Sequence, residues 1–188
     1  MDLANIAVIG LARRYDRMAE FFERFRVALP VNTIPVTAWA AVDDPYDPDK
    51  GCLLSHIRVL SAMDGPLVVF EDDACFSEQF TLDLDPPGDW DILWLGGQHK
   101  LAPAPHNATW VTPRHLVRTH AYIAREPSRV AQMLRGVPRI DPHMANLRLR
   151  QYALKHHTVG QRAGRSDISG TIRPVDEYWQ RSRQFSRP

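Results

Sequence analysis

The chain has 188 residues, of which 44% are hydrophobic and 24% charged, and its formal net charge is +1. This length suits one globular domain with a sizeable core and excludes a second large domain. The sequence has no internal repeat and no stretch near the roughly 18 to 20 apolar residues that cross a bilayer. We therefore expect a cytoplasmic protein, and a peripheral contact at the inner face of the membrane stays open.

Charge is divided unevenly along the chain. Residues 1–111 carry 8 basic and 17 acidic side chains, whereas residues 112–188 carry 15 basic and 5 acidic ones. One interpretation is an acidic site that holds a cation beside a basic half that faces phosphate or an anionic acceptor. The other is that the two halves pack together and their charges cancel. The arginines form no basic stripe interleaved with aromatic residues, so we expect no nucleic-acid partner.

Hydrophobic periodicity predicts alternating strands and helices, which is typical of an α/β sandwich with a mainly parallel central sheet. We place this single domain at residues 1–172 and a C-terminal tail, wrapping or mobile, at 173–188. Asp16 is the expected N-cap of the first helix, and the acidic segment 43–49 is an expected loop. In chain order the predicted elements are strand 6–9, helix 16–29, strand 33–39, helix 53–63, strand 67–70, a short helix at 76–80, strand 90–95, an exposed loop at 98–107, strand 120–124, helix 128–135 and helix 142–152.

Three carboxylates, Glu71, Asp72 and Asp73, follow the apolar run 67–70 directly. A short apolar run of this kind predicts a buried parallel strand, and ligands bind at the carboxyl edge of such sheets. Because three clustered acids repel one another, a divalent cation is the simplest neutraliser. On an extended segment Glu71 and Asp73 face the same side, so we predict that they bind Mn²⁺ or Mg²⁺. A structural carboxylate network is the alternative.

The remaining metal-ligand types form no strong spacing. Cys52 and Cys75 belong to no CxxC or Cys/His pattern, and we expect packed, reduced thiols. His99 and His106 lie in the predicted loop at 98–107, where solvated histidines are expected.

Six short segments stand in a recognisable order: IAVIGLARRYDR (6–17), GCLLSH (51–56), VFEDDA (69–74), WDILWLG (90–96), THAYI (119–123), and Gln161 with SDI (166–168). Together they resemble glycosyltransferase family 25, the lipopolysaccharide-biosynthesis type. The resemblance implies a GT-A fold and transfer of a sugar from a nucleotide diphosphate, often UDP-galactose, to a saccharide or glycoconjugate acceptor. Glu71 and Asp73 then match the Asp-x-Asp type of metal clamp found in this fold.

The turn after the first strand supplies predicted donor contacts. Leu11 and Arg13 are expected near the nucleotide, and Arg17 or Arg14 is expected to contact phosphate. Arg17 has the alternative of pairing on the helix surface with Asp16 or Glu20. No GxGxxG or Walker A run is present, which argues against a dinucleotide fold or a P-loop kinase.

Three further donor-binding residues come from the second helix and the acidic segment. The resemblance implies that Ser55 and His56 face the donor, whereas a buried histidine bonded inside the sandwich is the alternative. Asp72 is expected to reach the ribose or a buried partner. Where the family usually has Asn, this chain has Gly10, so no side-chain contact is expected from that position.

An inverting transfer needs a base that takes the acceptor proton. We predict Asp141 for this role, because the resemblance places a carboxylate between the strand at 120–124 and the last helix. An N-cap role for Asp141 is equally open, and His143 is the second choice of base. His157 is a candidate late metal ligand, and a structural role is expected for at least one of His156 and His157.

The sequence therefore predicts a metal-assisted, inverting sugar transferase that uses a UDP-hexose. A non-catalytic nucleotide-sugar or glycan-binding relative is the first alternative, because loss of the base alone would leave the other motifs intact. A metal-dependent phosphoryl-transfer enzyme is the second, although the second acid cluster of a two-metal site is not evident. The sequence does not indicate an oligomeric state.

Overall fold

The computed structural model describes residues 2–168 and 170–173, so the predicted tail lies outside the described residues apart from Arg173. Four helices are present in this part of the chain: α1 (Tyr15–Ala28), α2 (Pro48–Ala62), α3 (Pro127–Leu134) and α4 (Asp141–Met144). A 3-10 turn, Ala12–Arg14, precedes α1. The strands are β1 (Asn5–Gly10), β2 (Val36–Ala40), β3 (Leu67–Glu71), β4 (Ala74–Phe76), β5 (Ile92–Trp94), β6 (Gln98–Pro105), β7 (Trp110–Val117), β8 (Ala121–Ala124), β9 (Gln151–Leu154), β10 (Val159–Gln161), β11 (Gly164–Arg165) and β12 (Ile172–Arg173).

A central sheet of eight strands has the order β2-β1-β3-β8-β5-β9-β7-β6. Strands β7 and β8 run antiparallel to their neighbours, and the other six strands run in one direction. The predicted α/β class with a mainly parallel sheet is confirmed. In register, Ile9 of β1 lies beside Glu71 of β3, so these two strands end together.

Helices cover both faces of the sheet, which explains why β1 and β3 are apolar without alternation. Phe21 and Phe25 of α1 pack with Val68 and Phe70 on one face. On the other face α2 and α3 pack against Ala7, Ile9 and Val69. A cluster of phenylalanine rings holds α1 to the strand that carries the acids; it comprises Phe21, Phe25, Phe70, Phe76 and Phe80.

Four local predictions were wrong. Asp16 is the second residue of α1 and does not cap it, because the cap position is Arg14. The predicted loop at 98–107 is the edge strand β6, whose exposed position tolerates its prolines.

Two predicted helices are shorter or absent. The predicted helix 142–152 ends after one turn at Met144, and Gln151 begins β9. The predicted short helix at 76–80 consists of the last residue of β4, which pairs with β10, and a turn. In these cases and in β6, pairing with another strand outweighs the local pattern.

Gln151 joins β9 to the segment that carries Asp141. Its Oε1 accepts a bond from Trp94 Nε1 at 2.9 Å. Its Nε2 donates to the carbonyl oxygens of Met144 at 3.0 Å and Leu147 at 3.3 Å. All three bonds hold the end of α4 against the sheet.

We expect Gln151→Leu to lower the free energy of unfolding by about 2 to 4 kcal/mol, because it leaves the Trp94 indole and the Met144 carbonyl buried without partners. Urea denaturation measures the change. Gln132→Leu, at an exposed position of α3, is the matched control and should change stability by less than about 0.5 kcal/mol. Equal stability of both variants would contradict the anchoring role.

No helix in the described residues combines the length and the apolar character needed to span a bilayer.

Candidate active site

A cavity of about 650 Å³ opens at the ends of β1 and β3. The carboxyl edge of this sheet is therefore concave where the sequence places its acids. The loop after β2 and the segment 161–168 form the other walls.

Eight of the eleven predicted site residues line this cavity: Leu11, Arg13, Arg17, Ser55, His56, Glu71, Asp72 and Asp73. The other three, Asp141, His143 and His157, are not among its lining residues.

The three consecutive carboxylates point toward different partners. Glu71 Oε1 accepts from Thr119 Oγ1 at 3.0 Å. Asp72 lies 4.0 Å from Arg17 Nη1. Asp73 accepts from Gln161 Nε2 at 3.3 and 3.4 Å. Strand β3 ends at Glu71 and a turn follows, so the alternation that would place Glu71 and Asp73 on one side does not apply.

Burial raises the pKa of Asp72 to about 7, although Arg17 opposes the rise. Burial, together with the charges of Glu71 and Asp72, raises the pKa of Asp73 to about 8. For Glu71 burial also favours the neutral form, but His56, His120 and the Thr119 hydroxyl together outweigh it and the pKa of Glu71 lies below its usual value. Carboxylate oxygens are the ligand type that Mn²⁺ and Mg²⁺ prefer, and a bound cation would favour the ionised forms. Among the described residues, however, Glu71, Asp72 and Asp73 do not bring one oxygen each within 4.8 Å of one another.

Gly10 allows the close approach of Asp72 to β1. A Cβ on Gly10 would lie 2.8 Å from Asp72 Oδ2 and 2.7 Å from the Met18 methyl carbon. Arg24 of α1 holds the same turn from behind by donating to the carbonyl oxygens of Asp72 at 3.1 Å and Ala74 at 3.2 Å. The Arg24 side chain thus fixes the turn through the turn's own backbone carbonyls.

Arginines from the β1–α1 turn gather beside the acidic segment, where Arg17 Nη1 lies 4.0 Å from Asp72. Their guanidinium groups meet the Asp167 carboxylate at 3.1 Å from Arg13, 3.1 Å from Arg14 and 2.9 Å from Arg17.

Two of these arginines have further carboxylate partners. Arg13 pairs with Asp43 at 2.8 Å and Arg14 with Asp16 at 3.0 Å. Carboxylates thus balance the charge of the three arginines. The cluster still suits a phosphate group, because guanidinium groups bind phosphate through paired hydrogen bonds.

Ser55 and His56 have structural partners in addition to their place in the cavity wall. Ser55 Oγ donates to the Gly51 carbonyl at 2.7 Å and accepts from the Val42 amide at 2.8 Å. These bonds hold α2 close to the loop after β2. His56 is fully buried, and its Nδ1 lies 2.9 Å from the Tyr122 hydroxyl, as the alternative of a bonded core histidine predicts.

Asp141 is linked to the acids through Thr119, whose Oγ1 lies 3.0 Å from Glu71 Oε1 and 3.1 Å from Asp141 Oδ1. Asp141 is the first residue of α4 and caps nothing, since the cap position is Ile140. Burial and the Glu71 charge raise the pKa of Asp141. The N-cap alternative is therefore wrong, and His143 lies on the same one-turn helix.

The structure does not bring His157 to the other predicted metal ligands. Its ring lies against His99, with 5.2 Å between the ring centres. Within the described residues, Glu71, Asp73 and His157 form no cluster of ligand atoms. His157 follows β9 and faces β6, which explains its distance from the end of β3. The expectation of a solvated His99 is also wrong, because His99 is partly buried on β6 with its ring against His157.

We expect the buried pair His99 and His157 to lower the stability of the fold at acidic pH. Burial lowers the pKa of His157 to about 3 and that of His99 to about 4. A lowered folded-state pKa gives stability above the unfolded pKa of about 6.5 that is lost as the pH falls. For His157 the loss between pH 7 and 5 is about 2 kcal/mol, measurable by urea denaturation. His157→Gln should flatten this dependence, and an unchanged slope would contradict it.

Three residues of the site were missed as individual candidates. Thr119 and Gln161 lie in segments that carry the family resemblance, but their bonds to Asp141 and Asp73 join residues far apart in sequence. Cys52 is a packed, reduced thiol as predicted, and it also lines the cavity. Its spacing of four residues from His56 on α2 is the signal that could have found it.

Sequence searches give no matching family model and no matching curated protein, so the resemblance to family 25 stays a prediction. The fold is that of the GT-A glycosyltransferases.

Solved structures that resemble this chain include the catalytic domain of Drosophila β1,4-galactosyltransferase 7 in complex with xylobiose. The match covers 100% of this chain and 82% of that one, with a TM-score of 0.51 and 10% identity. A mutant of the same enzyme with manganese, UDP-Gal and xylobiose matches with a TM-score of 0.46 and 12% identity, over 96% of this chain and 80% of that one. At these identities the likeness concerns the fold.

Proposed function

We infer that this protein is a metal-assisted glycosyltransferase of the family 25 type. It transfers a hexose, galactose-like, from a UDP-sugar to a glycan, lipid-linked saccharide or protein acceptor, with inversion. We place it in the cytoplasm, at the inner face of the membrane.

One observation carries this proposal: the three carboxylates of segment 71–73 and two arginines, Arg13 and Arg17, line the same cavity, and Arg17 lies 4.0 Å from Asp72. Departure of a sugar from a nucleoside diphosphate leaves negative charge on the β-phosphate, which fixed positive groups stabilise. The GT-A fold of the chain supports the same conclusion, because the similar Drosophila enzyme is a galactosyltransferase.

The residues divide the work by position. Asp73, with Glu71 or Asp72, would hold Mn²⁺ or Mg²⁺, which supplies positive charge for the diphosphate. Arg13 and Arg17 contact the phosphates, and Leu11, Ser55 and His56 shape the nucleotide side of the cavity.

Asp141 acts on the acceptor side. Its raised pKa suits a group that removes a proton near neutral pH. Thr119 holds its carboxylate at a fixed distance from Glu71 and thereby from the donor site.

Calorimetry with UDP-galactose, in Mn²⁺ and in a chelator, tests donor binding. We expect binding that requires the metal, and no affinity in either condition for any of several UDP-sugars would overturn the proposal. A second assay follows release of UDP with saccharide acceptors. Tight donor binding without turnover on any acceptor would favour the non-catalytic relative.

Arg17→Gln should weaken donor binding by about 10- to 100-fold, because a charge-assisted hydrogen bond contributes roughly 1.5 to 3 kcal/mol. Arg17 is 7% exposed and is one of the residues that line the cavity. Calorimetry measures the change. Arg26→Gln removes a cation from the exposed side of the same helix, where it pairs with Glu23, and should leave the affinity unchanged. Equal affinities of the two variants would remove Arg17 from the phosphate site.

A further inference from the structure

Three side chains of different chemistry converge on the α2 side of the cavity. Cys52 and His56 lie one helical turn apart on α2, and Glu71 ends β3 opposite them. One ligand atom from each residue lies within 4.8 Å of the other two. In the described part of the chain, this group of three potential ligands meets the 4.8 Å criterion. It differs from the metal-binding set predicted from the sequence, which was Glu71, Asp73 and His157.

His56 gives the second, independent observation. The residue is 0% exposed, and its Nε2 atom is buried without a hydrogen bond. Glu71 Oε1 lies 3.4 Å from this nitrogen. A buried ring nitrogen without a hydrogen-bond partner is costly unless something else binds it.

The other ring nitrogen is held by a neighbour. His56 Nδ1 lies 2.9 Å from the Tyr122 hydroxyl, and the two rings stack with centres 5.8 Å apart. When Nδ1 donates its hydrogen to this oxygen, Nε2 carries a lone pair that is available to a cation held together with Cys52 and Glu71. Metal-binding histidines are fixed by outer partners of this kind, which set the tautomer and the ring orientation.

We propose that Cys52, His56 and Glu71 form a second cation site, selective for Zn²⁺, on the α2 side of the cavity. A thiolate, an imidazole and a carboxylate are zinc ligands, whereas Mn²⁺ and Mg²⁺ prefer oxygen alone. All three residues line the cavity, so a fourth position stays open to a ligand, as in catalytic rather than closed structural zinc sites. On binding, the Cys52 thiol loses its proton to solvent and coordinates as the thiolate.

This site overlaps the proposed manganese position at Glu71 alone. Asp73 bonds to Gln161, Asp72 lies 4.0 Å from Arg17, and neither belongs to the zinc set. Because Cys52 and His56 are no part of the manganese set, metal binding by Cys52 can be tested without a sugar-transfer assay.

Cobalt(II) titration of the chelator-treated full-length protein tests the proposal, because a cobalt–thiolate bond gives a charge-transfer absorption band. We expect the band in the wild-type protein, its loss in Cys52→Ser, and its displacement by Zn²⁺. Cys75→Ser is the matched control, since Cys75 lies on β4 and does not line the cavity, and it should keep the band. No band in the wild-type protein, or an equal band in Cys52→Ser, would overturn the proposal.

Two further variants test the zinc site without removing one of its ligands of Cys or His type. Tyr122→Phe keeps the ring but removes the hydroxyl that bonds to His56 Nδ1, so it should lower Zn²⁺ affinity by about 10- to 100-fold. Asp73→Asn should keep the cobalt band while losing manganese-dependent donor binding. Loss of the band in Asp73→Asn would show that one acidic site binds both metals, and an unchanged Zn²⁺ affinity in Tyr122→Phe would contradict the role of His56. Thermal melting of each variant confirms that it is folded.

Discussion

Replacing Asp73 with Asn is expected to abolish manganese-dependent binding of a UDP-sugar and to leave the protein folded. The Asn side chain keeps the shape of Asp73 and can still accept from Gln161, which now bonds to the carboxylate at 3.3 Å. It removes the charge that a cation requires. Because burial and two neighbouring acids raise the pKa of Asp73 to about 8, its neutralisation in the metal-free protein costs little stability.

Calorimetry with and without Mn²⁺ measures the loss, and thermal melting checks the fold. Asp64→Asn is the matched control, because Asp64 is an exposed acid in the loop before β3. This variant should bind donor as the wild-type protein does. If Asp73→Asn binds UDP-galactose with the wild-type manganese dependence, the acids at the end of β3 are structural.

The second large effect is expected for Asp141→Asn. A general base contributes about 10²- to 10⁴-fold to turnover, so kcat should fall within this range while the donor Kd is unchanged. Asn keeps an acceptor for Thr119, which now lies 3.1 Å from Asp141. The carboxylate must be ionised to act, so wild-type activity should be lost as the pH falls, at a higher pH than for an ordinary Asp.

His143→Gln is the comparison variant, since His143 was the second candidate for the base. We expect it to retain most of its turnover. If Asp141→Asn is fully active and His143→Gln is inactive, His143 and not Asp141 is the general base. Initial rates with saturating UDP-sugar separate an effect on kcat from one on donor binding.

The sequence predicts the acidic edge of the sheet well because the signals there are local. An unbroken apolar run from 67 to 70 indicates a strand buried on both faces, and its last residue must face the carboxyl edge. Strand β1 ends at Gly10 on the same edge of the sheet, and the turn that follows it brings Leu11, Arg13 and Arg17 to the same cavity.

The rest depends on contacts between segments distant in sequence. Gln161 meets Asp73 because β10 pairs with β4, and nothing in either segment predicts that pairing. The sequence suggests His157 as a metal ligand near the C-terminus, but in the structure its ring packs against His99 of β6. A turn after β3, rather than a continued strand, decides where Asp72 and Asp73 point.

The contact of Asp167 with Arg13, Arg14 and Arg17 joins residues about 150 positions apart. Proteins are made from the amino terminus onward, so the arginines leave the ribosome long before the carboxylate that contacts all three of them. During that interval the acidic partners that the structure describes for them lie within residues 16–72. The arginine cluster is therefore completed only when synthesis reaches the segment that contains Asp167.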